Sequence, residues 1–154
     1  MDIANRRLIS QQLFTTTKSK SPRDVIEWLG AVRAQDYPGA KWALGLRLRG
    51  ATDAVVEQAF AKGTILRTPL LRPTWHFVSP ADIRWLLALT APRVQAANAY
   101  MYRKLELDGS IFRRSHAALA KALDGGQQLS RDELRVVLDR AGVRTDGESA
   151  WDIS

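Results

Sequence analysis

Arg33-Ala34-Gln35-Asp36 brings a guanidinium, a carboxamide and a carboxylate together within four residues. Just before them Val25, Ile26, Trp28, Leu29 and Val32 recur at three- and four-residue spacing, the pattern of a packed helix running to about Arg33. Polar side chains held where a packed helix ends are either caps or working groups. Asp36, two residues before Pro38, reads first as an Asx-type turn residue and second as a general base, being the only carboxylate that adjoins the cluster. Gln35 reads as an amide that bonds the helix end and the following turn, or as a group that acts on a substrate. No Ser/His/Asp arrangement and no phosphate-cradling glycine loop competes with this cluster.

The wider chain carries 23 Lys and Arg against 16 Asp and Glu, a net charge of +7 over 154 residues. The excess is uneven. Residues 1–114 hold 18 basic against 9 acidic side chains, or +9, whereas residues 115–154 hold 5 against 7, or −2. Guanidinium forks suit phosphate oxygens and base edges, so a polyanionic partner is the implied one, although a solvated arginine-rich surface would have the same composition. Lys41, Arg47 and Arg49 flank a presumed recognition helix, and Arg67 and Arg72 sit on or beside a presumed hairpin. His76 alternates with Trp75 and Phe77; if the two aromatic rings face the core, the imidazole faces the groove and reaches phosphate or base. No aromatic residues interleave the basic stripe, which argues for duplex DNA over a single strand stacked on rings.

Cysteine is absent, which excludes disulfides and thiolate metal sites, and His76 and His116 are the only imidazoles, so neither a metal nor a cofactor is expected. No apolar run approaches the roughly 20 residues of a membrane span, and the N-terminus lacks the apolar region of a signal peptide. A cytoplasmic location is the expectation.

The elements that must position the cluster are mostly helical. Ile3 to Phe14 reads as a first helix, and Ser21-Pro22-Arg23-Asp24 caps a second. Tyr37-Pro38-Gly39 turns the chain into a third helix over 40–48, and Thr52-Asp53 caps a fourth that ends near Gly63. Ile65 to Val78, rich in β-branched and aromatic residues, predicts two short strands forming a wing. Ser79-Pro80-Ala81-Asp82 opens another helix, and Thr90-Ala91-Pro92 starts a long one reaching about Leu107. Trp28, Trp42 and Trp85 lie at helical spacing among aliphatic residues and read as core. Ser115 caps a helix to about Leu123, and Ser130-Arg131-Asp132-Glu133 is a capping box before Leu134, Val137 and Leu138. The fold class is therefore mainly α with a small β-hairpin wing. Residues 1–109 form a winged helix-turn-helix domain with its C-terminal helices, and 110–154 an incomplete second helix-turn-helix unit.

Several blocks occur together: Gly30-Ala31-Val32-Arg33-Ala34-Gln35-Asp36-Tyr37-Pro38-Gly39-Ala40-Lys41-Trp42-Ala43, Leu71-Arg72-Pro73-Thr74-Trp75-His76-Phe77-Val78, Asp82-Ile83-Arg84-Trp85-Leu86-Leu87 and Thr90-Ala91-Pro92-Arg93. Over about residues 3 to 145 they resemble the winged-helix proteins of the alkylpurine DNA glycosylase type, the superfamily of azinomycin-resistance and interstrand-crosslink glycosylases. The resemblance implies a DNA-repair hydrolase of tandem winged helices, which holds duplex DNA in a basic concave face and hydrolyses the N-glycosidic bond of an N7-alkylated purine. It also implies a truncated form, covering the first domain and the opening helices of the second, with 146–154 unlike the family's apolar third helix. The family's catalytic motif, a glutamine, an apolar residue and then glutamine or aspartate, falls on Arg33-Ala34-Gln35. Gln35 matches the second position, where a neutral amide can orient water at C1′; Arg33 departs from the first, and a cation beside a developing oxocarbenium opposes it. A non-catalytic winged-helix binding module or regulator is the alternative that this departure implies.

Overall fold

Local signals start most of the helices. The computed structural model describes residues 2–14, 18–72 and 74–145. Helix α1 spans Ile3–Ser10 and α2 Pro22–Leu29. A closed capping box opens α2: Ser21 Oγ accepts from the Asp24 N–H at 3.2 Å, and the Asp24 carboxylate accepts from the Ser21 N–H at 3.0 Å. Gly30, at φ 77°, then turns the chain out of the helix in the left-handed region that a residue without Cβ enters freely. The expected continuation of α2 to Arg33 is therefore wrong. Val32–Arg33 instead forms a two-residue strand, β1.

Helix α3 (Tyr37–Gly45) takes the predicted turn residues into its own first turn, because Asp36 caps it and Pro38 is tolerated where no N–H is needed. Thr52 caps α4 (Asp53–Ala61), as its sequence position suggests. Strands β2 (Leu66–Leu70) and β3 (Thr74–Val78) make the hairpin, and the sheet is antiparallel in the order β1-β3-β2. Pro69 lies in edge strand β2, where a missing ladder donor is least costly. The central strand β3 serves two cores. Phe77 packs with Val25, Ile26, Ala34, Leu44 and Val56, and Val78 with Leu70 and Leu86. Tyr37 and Phe60 meet Phe77 at centroid distances of 5.9 and 5.0 Å, closing an aromatic cluster under β3.

Three further α-helices follow in the described chain. Helix α5 (Ile83–Lys104) is continuous through Pro92, so Thr90-Ala91-Pro92 does not start a new helix; proline removes one donor, and the Thr90 hydroxyl donates to the Leu86 carbonyl at 2.8 Å. Helix α6 (Gly109–Ala122) begins six residues before the predicted cap at Ser115, because the Asp108 carboxylate accepts from the Ser110 and Ile111 N–H groups at 2.8 and 2.9 Å. Ser115 turns its hydroxyl back to the Ile111 carbonyl instead. Helix α7 (Arg131–Arg140) opens on the predicted Ser130–Glu133 capping box. Contacts divide the chain into two compact units, Met1–Val94 and Gln95–Ser154. In the second, α6 packs on α7, Leu138 and Val143 are buried, and Leu123 and Val136 are exposed. The reading of 146–154 as unlike a family helix lies outside the described residues.

Two further expectations are corrected. Helix α1 stops at Ser10 instead of Phe14, since Gln12 takes φ 57°. The three tryptophans expected in the core are exposed, Trp28 at 63%, Trp42 at 72% and Trp85 at 51%. Helical spacing fixes their period and leaves open which face is buried. Trp28 Nε1–H donates to the Ser10 carbonyl at 2.7 Å and Trp85 Nε1–H to the Asp82 carboxylate at 2.7 Å, while Trp42 lines a groove of about 510 Å³ with Leu46 and Val56.

Candidate active site on the edge strand

The motif is held by backbone pairing. Val32 and Arg33 lie opposite Phe77 and His76 in β3, and the Ala34 N–H donates to the Trp75 carbonyl at 2.7 Å. At the next residue the side chain takes over from the main chain: Gln35 Oε1 accepts from the Trp75 N–H at 3.2 Å. A backbone N–H can only donate, so the atom facing it must be the oxygen, and the orientation of the amide is set by chemistry. One lone pair of Oε1 is used. Among the described residues the amide NH₂ has no partner.

Arg67 closes the other side of Gln35. Its Nε–H donates to the Ala34 carbonyl at 3.1 Å and its Nη2–H to the Gln35 carbonyl at 3.4 Å. The guanidinium lies 4.5 Å from the Trp75 ring centroid and 5.4 Å from that of Tyr37. Strand register explains this. Arg67 is opposite Phe77 and Pro69 opposite Trp75, which puts Arg67 and Trp75 diagonally on one face of the sheet.

Asp36 is occupied as the N-cap of α3, its carboxylate accepting from the Gly39 N–H at 3.2 Å. Any Cβ at position 39 would collide with that carboxylate, so glycine there keeps the cap. Arg33 is exposed and has no carboxylate partner among the described residues. His76 is buried, and its Nδ1 lies 2.8 Å from the Thr74 carbonyl. An oxygen that only accepts requires the proton on Nδ1.

The remaining basic candidates divide sharply. Lys41 Nζ lies 2.7 Å from both an Asp53 and a Glu57 carboxylate oxygen. Hydrogen bonds to Asp53 and then Glu57 raise the Lys41 ammonium above its ordinary range, and the Lys41 and Tyr37 hydrogen bonds lower Glu57. Arg47 serves two helix ends: Nε–H donates to the Gln11 carbonyl at 2.8 Å, just beyond α1, and Nη1–H to the Ala43 carbonyl at 2.5 Å in α3. Burial lowers its pKa from the ordinary arginine value. Arg49 and Arg72 are exposed, Arg72 between β2 and β3, and neither has an ion-pair partner among the described residues.

Arg33, Gln35, Asp36 and Arg67 thus come together at the β1 edge, joined by Trp75 and Tyr37, which sequence reasoning did not assign to the site. The hairpin register was the signal for Trp75. No group of three or more His, Asp or Glu that could hold a metal occurs among the described residues. A neutral carboxamide two residues from a guanidinium that has no carboxylate partner among the described residues can orient water or contact a base and a phosphate.

The sequence model for AlkZ-like DNA glycosylases matches residues 26–153, most of the chain and all of this site. The chain belongs to the AlkZ-like DNA glycosylase family. Its fold is also that of a solved structure, the DNA glycosylase AlkZ of Streptomyces sahachiroi, at TM-score 0.66 and 24% identity over 86% of this chain. The match spans 35% of the AlkZ chain. No curated protein matches. The resemblance carried by the Gly30–Ala43 and Leu71–Val78 blocks is thereby established as family membership. The mainly helical architecture with its three-stranded antiparallel sheet agrees with it. Among the described residues no helix is long and apolar enough to cross a membrane.

Proposed function

We propose that this chain binds duplex DNA as a winged-helix unit and carries the second glutamine of a glycosylase motif, Gln35, for hydrolysis of N7-alkylated purine nucleosides in cytoplasmic DNA repair. On this reading residues 1–109 are the first winged-helix domain, with α2 to α4 as its helix-turn-helix and β2–β3 as its wing, and 110–154 open a second. Arg33, Arg49 and Arg72, exposed and unpaired among the described residues, meet phosphates. Lys41 and Arg47, assigned to DNA from sequence, are given structural roles instead.

The observation that carries the proposal is the Gln35 amide, fixed by the Trp75 N–H yet with a second Oε1 lone pair and an NH₂ that have no partner among the described residues. Alkylation at N7 leaves the base cationic, so the C1′–N9 bond breaks with its electron pair passing to the base, which leaves neutral. Gln35 Oε1 accepts from a water aligned on C1′; the water oxygen bonds to C1′ and its proton passes to solvent. No metal and no cofactor enters.

Arg33 favours a second reading, a binding module without chemistry, because a guanidinium two residues from Gln35, with no carboxylate partner among the described residues, raises the cost of positive charge at C1′ and welcomes phosphate. Release of free 7-methylguanine from methylated duplex DNA decides between them. Release by the wild-type chain that disappears in Gln35→Ala supports hydrolysis. Release by Arg33→Gln alone assigns the wild-type chain to binding; release by neither variant nor wild type removes the catalytic reading.

A further inference from the structure

We infer that Arg67 is a positioning residue for Gln35, acting on the motif through its backbone and through Trp75, and not a contact to DNA. The inference rests on the catalytic reading of Gln35 only for its kinetic arm. Four contacts support it, and all point the same way. The guanidinium donates to the carbonyls of Ala34 and Gln35, at 3.1 and 3.4 Å, and stacks at 4.5 Å on Trp75, whose own N–H holds Gln35 Oε1. Tyr37, in the first turn of α3, receives the same guanidinium at 5.4 Å. Arg67 therefore touches the residue before the motif glutamine, that glutamine, its hydrogen-bond donor and the helix that follows it.

The chemistry suits arginine and not lysine. Bonds from Nε and Nη2 to consecutive carbonyls require a planar fork with fixed spacing, and a flat guanidinium can lie on the Trp75 ring while it makes them. No carboxylate pairs with Arg67 among the described residues. The Gln35 main-chain carbonyl and side-chain Oε1 are both engaged from the sheet side, which leaves the NH₂ in one direction. Loosening the brace frees the amide to rotate without removing any atom of it.

The test uses the 154-residue chain labelled with ¹⁵N. The Gln35 side-chain NH₂ pair, assigned by its loss in Gln35→Ala, is expected away from the averaged position of solvated glutamines. Arg67→Lys is expected to bring it back to that position while the backbone spectrum stays dispersed. If Arg67→Lys does not fold, Trp75→Leu, which keeps the N–H and removes the stacking face, is expected to shift the pair the same way. A Gln35 pair already averaged in wild type, or unmoved by whichever variant folds, overturns the inference. In the kinetic arm Arg67→Lys lowers kcat for base release about 10- to 100-fold with KM unchanged. A rise in KM with kcat unchanged, the signature of a lost DNA contact, overturns it too. Absence of base release from wild type counts against the catalytic reading alone, since the NMR arm needs no substrate.

Discussion

Lys41 and Arg67 are both cations laid against the ring of Tyr37, at 4.8 and 5.4 Å, and they do opposite things. On the α3–α4 side Lys41 is answered by two carboxylates, Asp53 and Glu57, and its charge is cancelled within the fold. On the sheet side Arg67 is answered by carbonyls and rings, which satisfy its hydrogens and leave its charge in place. Carbonyl partners position a cation without neutralising its field. Together with Arg33 and Arg72, Arg67 gives the β1 edge and hairpin a positive charge that Lys41, answered by Asp53 and Glu57, does not give the α3–α4 face.

The contrast can be broken most severely at Phe77, which backs both regions. Phe77→Ala removes a fully buried ring from under Tyr37 and β3 and is expected to cost about 3–5 kcal/mol in urea unfolding. A loss under 1 kcal/mol would mean that the two regions do not share a core. Asp36→Ala separates cap from chemistry: loss of the α3 N-cap costs about 1 kcal/mol. Base release abolished in that variant at unchanged stability would restore Asp36 as general base.

Acid titration addresses the helical side by itself. Glu57 is lowered in the fold, so the stability it contributes is present above the ordinary carboxylate value near 4.5 and lost as pH falls through its folded value. The Tm difference between wild type and Lys41→Met is therefore expected to shrink between pH 6 and pH 3. A difference that is constant over this range would show that the Lys41–Glu57 pair is not coupled to folding. The smallest effect on stability belongs to Arg49→Ala with Arg72→Ala, expected within about 0.5 kcal/mol of wild type, while the salt dependence of duplex binding falls in slope by about 2. Arg47→Ala provides the comparison, because it leaves the Gln11 and Ala43 carbonyls open and lowers Tm.

Helix starts were legible because capping is local: Ser21, Thr52 and Ser130 each meet a backbone N–H three residues on. Strand β1 was not legible, because two residues carry no period and the partner of Val32 is Phe77, far along the chain. The same separation hid the Gln35–Trp75 bond and the Arg67 brace, whose atoms meet only once the hairpin register is set. The three tryptophans misled for a different reason. An indole has one N–H to satisfy, and Trp28 and Trp85 satisfy it at the surface, on Ser10 and Asp82. Composition counts cations without their partners, and Lys41 and Arg47 have theirs within the fold. Gln35 and Arg33, read from sequence at a helix end, lie in and beside the edge strand β1 instead.

Strand β1 is held by its peptide groups, and the Arg33 side chain stands outside that pairing with no partner of its own among the described residues. Position 33 is therefore a site where selection can exchange one chemistry for another without endangering the fold. Exchange of arginine for glutamine there is expected to leave folding unchanged.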